Sequence, residues 1–227
     1  MFKKIYKSLL LMLVATLIIP MIPASAIGRT SLQKVNGEEV FLTEEFSNDE
    51  GAIKIYNSIE SNDRYAEVIE SNGTVSNIVF DSQTNQIFIN GELYEVKLSG
   101  NVSNIYMNTY DNPQARWRNP SYGEIYQGKF DAYFPYRETV IVMAAAIAVY
   151  APWKSVQFIA GALGGMTGLQ QGVNLQYDVY RSQSSHYSSY NGVYYNRIKH
   201  KNAKLVNSSS SKHLISDSGW MDPIRPY

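Results

Sequence analysis

The chain has 227 residues, with twenty basic and twenty acidic side chains, eighteen tyrosines and no cysteine. That length is enough for one or two domains with real cores, and the missing cysteine excludes a disulfide framework, thiolate metal sites and thiol catalysis. The zero net charge hides a split: Ile27 to Asp111 holds fourteen acidic and five basic residues (−9), and Asn112 to Tyr227 holds six and twelve (+6). Such asymmetry points to a basic part that meets an acidic surface and an acidic part that masks it, or to two ordinary solvated faces.

Residues 1–26 read as a signal peptide. Lys3, Lys4 and Lys7 form the positive region, Leu9 to Ile19 the apolar run, and Ala24-Ser25-Ala26 the small-residue site, so cleavage is expected after Ala26 and the mature chain starts at Ile27. A secreted chain is therefore expected. Residues 27–50 form an acidic lead-in with one apolar patch, Val40-Phe41-Leu42.

Residues 51–100 read as an antiparallel meander. Four strands are expected at Arg64–Glu70, Thr74–Asp81, Gln86–Asn90 and Glu92–Leu98. Asn72-Gly73 and Asn90-Gly91 are the dipeptides that type I′ turns prefer, since both central residues need positive φ. Residues 101–138, rich in Tyr, Asn, Pro and Gly, are expected to be an irregular linker; Arg116-Trp117-Arg118 is a cationic aromatic spot within it.

Residues 139–175 stand apart. Thr139 to Val173 carries one charge, Lys154. Two helices are expected, over Thr139–Val149 and Val156–Leu169, broken at Pro152 because proline restricts the residue before it. Tyr150, Pro152, Trp153 and Lys154 would form the bend, at a membrane interface if the segment inserts. Ala160, Gly164, Gly168 and Gly172 recur at four-residue spacing, and Gly161 and Gly165 double the ridge. Small residues at this spacing let helix backbones approach closely in lipid, where the hydrophobic effect does not drive association. In water each glycine costs about 1 kcal/mol against alanine in a helix. The ridge is read as a membrane and association face, with a tightly packed soluble core hairpin as the other reading.

Residues 176–227 alternate aromatic or aliphatic with polar residues, with a further Asn-Gly at 191–192, and are expected to form a small Tyr-rich β-module. Its tyrosines suit contacts with headgroups, sugars or proteins. The whole reads as α+β: an N-terminal antiparallel β-meander, a central apolar Gly/Ala-rich helical hairpin and a C-terminal β-module.

No catalytic constellation is visible. His186, His200 and His213 are not at metal-binding spacing, Ser185-His186 is only a neighbour pair, and the chain has no G-x-S-x-G and no phosphate loop. No cofactor, no metal and no nucleic-acid partner are expected.

The stretches INGELYEVKL (89–98), YDVYRSQ (177–183) and NGVYYNRIKHKNAKLV (191–206), arranged around the Gly/Ala segment, resemble the large secreted bacteriocins of Gram-positive bacteria of the geobacillin type. The His/Tyr/Ser-rich tail alone is also similar to lactococcin-type β-sandwich bacteriocins. The resemblance implies an unmodified, heat-tolerant antimicrobial protein acting on related bacteria, and it supplies no catalytic residue; the apolar segment points to their membranes as the target. Self-association and a companion immunity protein would fit that role. The alternatives are a non-lytic secreted surface or interaction protein whose apolar segment is core, and an enzyme of the cell envelope.

Overall fold

The computed structural model describes residues 33–35, 37–99, 123–137, 139–151, 155–187 and 194–221. The expected signal peptide with Ala24 and Ala26, the Arg116–Arg118 spot, the bend residues Pro152, Trp153 and Lys154, and the Asn191-Gly192 turn lie outside them.

Strands β1 (Gln33–Val35), β2 (Glu38–Asn48), β3 (Gly51–Ser58), β4 (Arg64–Glu70), β5 (Val75–Asp81), β6 (Gln86–Ile89) and β7 (Glu92–Tyr94) form one antiparallel sheet in chain order. Alternation puts Ile53, Ile55, Ala66, Val68, Ile78, Phe80, Ile87 and Ile89 on a buried inner face. The β6–β7 turn has positive φ at both Asn90 (53°) and Gly91 (81°), and Ile89 faces Glu92, as a two-residue I′ hairpin requires. The β4–β5 connection differs from its expected type. Only Gly73 has positive φ, Gly73 N–H donates to Glu70 C=O at 2.8 Å, and the Asn72 side chain accepts from Thr74 N–H at 2.8 Å. Asn72 therefore works through its side chain rather than through a left-handed backbone.

The acidic lead-in is not a loose segment from Gln33 onward, because it forms β1 and β2. A β-bulge between Leu42 and Glu44 changes the face that its side chains take. Before the bulge, Val40 and Leu42 face a small cluster with Tyr56 and Tyr65; after it, Phe46 packs on the main core. One extra residue moves every following side chain to the other face.

The second sheet, in order β12-β11-β10-β9-β8, is also antiparallel. It comprises β8 (Lys97–Leu98), β9 (Glu124–Phe134), β10 (Val173–Tyr187), β11 (Tyr194–Val206) and β12 (Ser211–Asp217). Two expectations change here. Glu92–Leu98 is not one strand: it breaks at Glu95-Val96, so that β7 ends one sheet and β8 begins the other. The expected linker holds β9, whose alternation is interrupted at Gly128 (φ 146°), beside a bulge opposite Val179 and Tyr180. The C-terminal strands are thus part of a five-stranded sheet rather than a separate small module.

Between β9 and β10 come α1 (Val140–Tyr150) and α2 (Val156–Gly164). Phe134 and Val173 are register partners, so the helical segment leaves and re-enters the sheet at one point. A single core takes in the inner face of both sheets, all of α1 from Ile141 to Val149, and Val156, Ile159, Ala160 and Leu163 of α2.

Candidate functional site: the enclosed apolar hairpin

Helix α1, VIVMAAAIAVY, has no polar face. Nine consecutive residues, Ile141 to Val149, are buried. A helix that is apolar all round is buried in a core or in a membrane. Here it packs on β3, β4 and β5 and on α2. Its three central alanines, at 0 % exposure, let these neighbours come close.

At the C-terminal end of α1, Tyr150 is not at a surface bend. Its ring meets Phe80 of β5 at 5.6 Å and Phe134 of β9 at 5.5 Å, both edge-on, and Phe130 of β9 at 6.0 Å. The stack continues from Phe130 to Tyr177 at 4.4 Å and on to His200 at 4.5 Å. Aromatic residues of both sheets therefore close on one side chain of the helix, and burial raises the Tyr150 phenol above its ordinary range.

Two charged side chains of the first sheet hold the two ends of the inter-helix bend. Arg64 of β4 places its guanidinium 4.4 Å above the Phe80 ring, and its Nη2 approaches the Tyr150 carbonyl at 3.5 Å. A cation at a helix C-terminus is favoured by the helix dipole. Burial lowers the guanidinium pKa to about 10, and Arg64 Nε makes no hydrogen bond among the described residues. Glu44 of β2 accepts from Ser155 Oγ and, at 2.8 Å, from Val156 N–H. Ser155 stands at the N-cap of α2 but its own side chain caps nothing, so a carboxylate more than a hundred residues away does so. The Leu42/Glu44 bulge is what turns Glu44 toward the helix. Sequence reasoning missed both residues. Arg64 carried a faint signal, as one of few cations in an acidic region; Glu44 carried none.

The glycine ridge is not one helical face. Helix α2 stops at Gly164, and Gly165 N–H closes it onto Gly161 C=O. Ala160 is buried, while Gly161, Gly164 and Gly165 lie exposed along α2 beside Phe158, which is 60 % exposed. Gly168 (φ 69°) starts a 3-10 turn at Leu169–Gln171 and Gly172 (φ 77°) ends it. These two glycines serve backbone conformation, not a helix surface.

A Cβ at Gly161 would meet nothing within 4 Å. Gly161→Ala is therefore expected to raise the melting temperature by about 2–4 °C, the shift that about 1 kcal/mol of helix propensity gives in a domain of this size. Thermal denaturation by circular dichroism checks this. A lowered midpoint would mean that Gly161 packs closely on another backbone.

No family model matches this chain, and comparison with curated proteins and with solved structures finds no match. The residues alone carry the reading. Among the described residues no group of three or more His, Asp or Glu side chains is placed to hold a metal ion. His200 lies in the aromatic stack, and His213 is exposed and 3.1 Å from Ser216 Oγ. Lys199 and Lys201 pair with Glu124 and Asp217 of their own half, and Arg137 reaches across to Glu92 at 3.7 Å.

Proposed function

We propose that this chain is a secreted antibacterial protein that acts on bacterial membranes through the α1–α2 hairpin, which the folded chain keeps enclosed. The observation that carries this reading is the combination at α1: a helix apolar on every face, stored inside two sheets, in a segment whose ends meet at Phe134 and Val173. Such a segment can swing out while every strand pair stays intact. The geometry also limits what it does there. Helix α1 is about 16 Å long and α2 about 14 Å, against about 30 Å of hydrocarbon. Among the described residues no helix is long and apolar enough to cross a membrane. The hairpin is read as entering one leaflet to about its midplane, as a wedge rather than a span. Exposed Gly161, Gly164 and Gly165 offer α2 a smooth surface for self-association once there. The target membrane, further copies of the chain and a companion immunity protein are the partners this role entails; it needs no cofactor, nucleic acid or enzymatic step.

One observation favours a second reading. The enclosure of α1 is complete, as in an ordinary core, which suits a non-lytic secreted surface or interaction protein. Glu44→Ala separates the two. Removing the acceptor of Ser155 and Val156 is expected to cost about 1–2 kcal/mol of stability. Under the membrane reading the chain from Ile27 releases dye from anionic liposomes, and the variant does so several-fold faster because its hairpin is freed. If neither releases dye while the variant melts earlier, the hairpin is structural core.

A further inference from the structure

We propose that the outer face of the second sheet binds a neutral glycan chain, along a row formed by Tyr126, Tyr180, Lys199 and Trp220. The row holds under either reading above, since nothing in it involves the hairpin. Its members are cross-strand neighbours. Tyr126 of β9 is the register partner of Tyr180 of β10, and Tyr180 that of Lys199 of β11. The Tyr126 and Tyr180 rings lie 5.4 Å apart, and Tyr126 is 54 % exposed. Beyond Lys199 the chain leaving β12 lays the Trp220 indole against the Lys199 ammonium, at 4.5 Å, and Lys201 Nζ stands 5.0 Å from the Tyr180 ring. Three strand spacings make the row about 14 Å long, a platform for an oligosaccharide of a few rings.

Charge decides which partner fits. Lys199 Nζ is 3.0 Å from Glu124 and 3.2 Å from Asp217, and Lys201 shares both carboxylates. Hydrogen bonds from Lys201 and Lys199 hold the Glu124 carboxyl below its usual range. Asp178 beside them accepts from Asn202 Nδ2 at 2.9 Å. Lys199 and Lys201 thus share Glu124 and Asp217, and Lys129 is the register partner of Asp178. A polyanion or an anionic lipid surface would meet carboxylates that already pair with the two central cations of the row. An apolar protein partner needs an interface core depleted of charge. A pyranose ring has what this face lacks: an apolar C–H face for the aromatic rings, and hydroxyls that both donate to carboxylates and accept from ammonium groups, in the stronger charge-assisted form. Fixed by their mutual contacts, these groups lose little freedom when a sugar binds.

The test is calorimetric titration of the chain from Ile27 with three neutral trisaccharides: the β-1,4-linked N-acetylglucosamine trimer, cellotriose and maltotriose. At least one is expected to bind with a sub-millimolar Kd, and Tyr126→Ala and Trp220→Ala are each expected to weaken it at least tenfold. Tyr187→Ala, an exposed tyrosine outside the row, is expected to bind as the parent does. Should Trp220→Ala fold poorly, Tyr126→Leu supplies the same comparison at an exposed site. No binding by any of the three sugars overturns the proposal. So does undiminished binding by the Tyr126 variants, or binding of poly(glycerol phosphate) in place of the sugars. Because no membrane is present, these outcomes are independent of liposome leakage.

Discussion

Gly172→Ala is expected to lower stability by at least about 3 kcal/mol, which is about 6–12 °C in melting temperature for a domain of this size. Two costs combine. Gly172 has φ 77° and ψ −174°, a region reached essentially by glycine alone, and placing a side chain there costs about 1–3 kcal/mol. An added Cβ would also lie 2.6 Å from the Phe134 carbonyl oxygen and 2.6 Å from the Tyr133 hydroxyl. The tyrosine has little room to yield, because its hydroxyl donates to Gln171 C=O at 2.8 Å, and the carbonyl belongs to the backbone of β9. Gly73→Ala is the control. Gly73 has φ 85° but nothing within 4 Å of the new Cβ, so it carries a positive-φ cost without the contacts. Urea denaturation of the two variants should separate them by about 1–3 kcal/mol. Equal losses would mean that the sheet edge at Phe134 relaxes freely.

Stability is expected to fall as pH falls from about 6.5 toward 3, and His200 is the reason. Burial against Tyr177 pushes its pKa down to about 3. In the unfolded chain the imidazole titrates near its ordinary value of about 6.5. Above that pH both states are neutral and the full stability is present. Between the two values the unfolded state binds the proton and the folded state does not, so each pH unit removes up to about 1.4 kcal/mol. The loss reaches several kcal/mol against a typical total of about 5–15. Unfolding midpoints in urea at pH 7, 5.5 and 4 measure it. His200→Phe, which keeps a ring against Tyr177, should flatten the slope between pH 6.5 and 4.5. Parallel slopes for parent and variant would assign the acid sensitivity elsewhere.

The legible parts of the chain were those whose period ran unbroken. Strands β4 to β6 alternate cleanly, and Asn90-Gly91 specifies its own turn. Strands β2 and β9 were hidden for different reasons. In β9 the bulge beside Gly128 leaves Tyr126 outside while Phe130, Ala132 and Phe134, of the same parity, lie inside. In β2 Val40, Leu42 and Phe46 share one parity, but four glutamates among eleven residues, Glu44 between them, give the segment the composition of a loop. The acidic residues of β2 then looked like solvated loop, although Glu44 is turned onto a helix end. Helix α2 was read through to Leu169 because its apolar residues continue, but paired glycines at 164 and 165 give the chain an exit at lower cost than further helix. At the candidate site, composition shows that Thr139 to Val173 has to be shielded from water. The identity of the shield lies in surfaces contributed by residues tens of positions away, which a local pattern does not record. The same holds for Arg64 and Glu44.

Among the described residues, every strand of both sheets pairs only with its neighbours in sequence. The seven strands of the first sheet, residues 33 to 94, are complete before α1 begins at Val140. A chain that folds from its N-terminus therefore builds a sheet whose inner face, lined by Ile53, Val68, Ile78, Ile87 and Ile89, waits bare for a helix still to come. During that interval the half-made molecule presents an open apolar trough with an unfilled slot the width of α1. An apolar face of this kind is prone to aggregate, and the exposure ends only when α1 has packed on β3, β4 and β5 and the second sheet has closed on the same core.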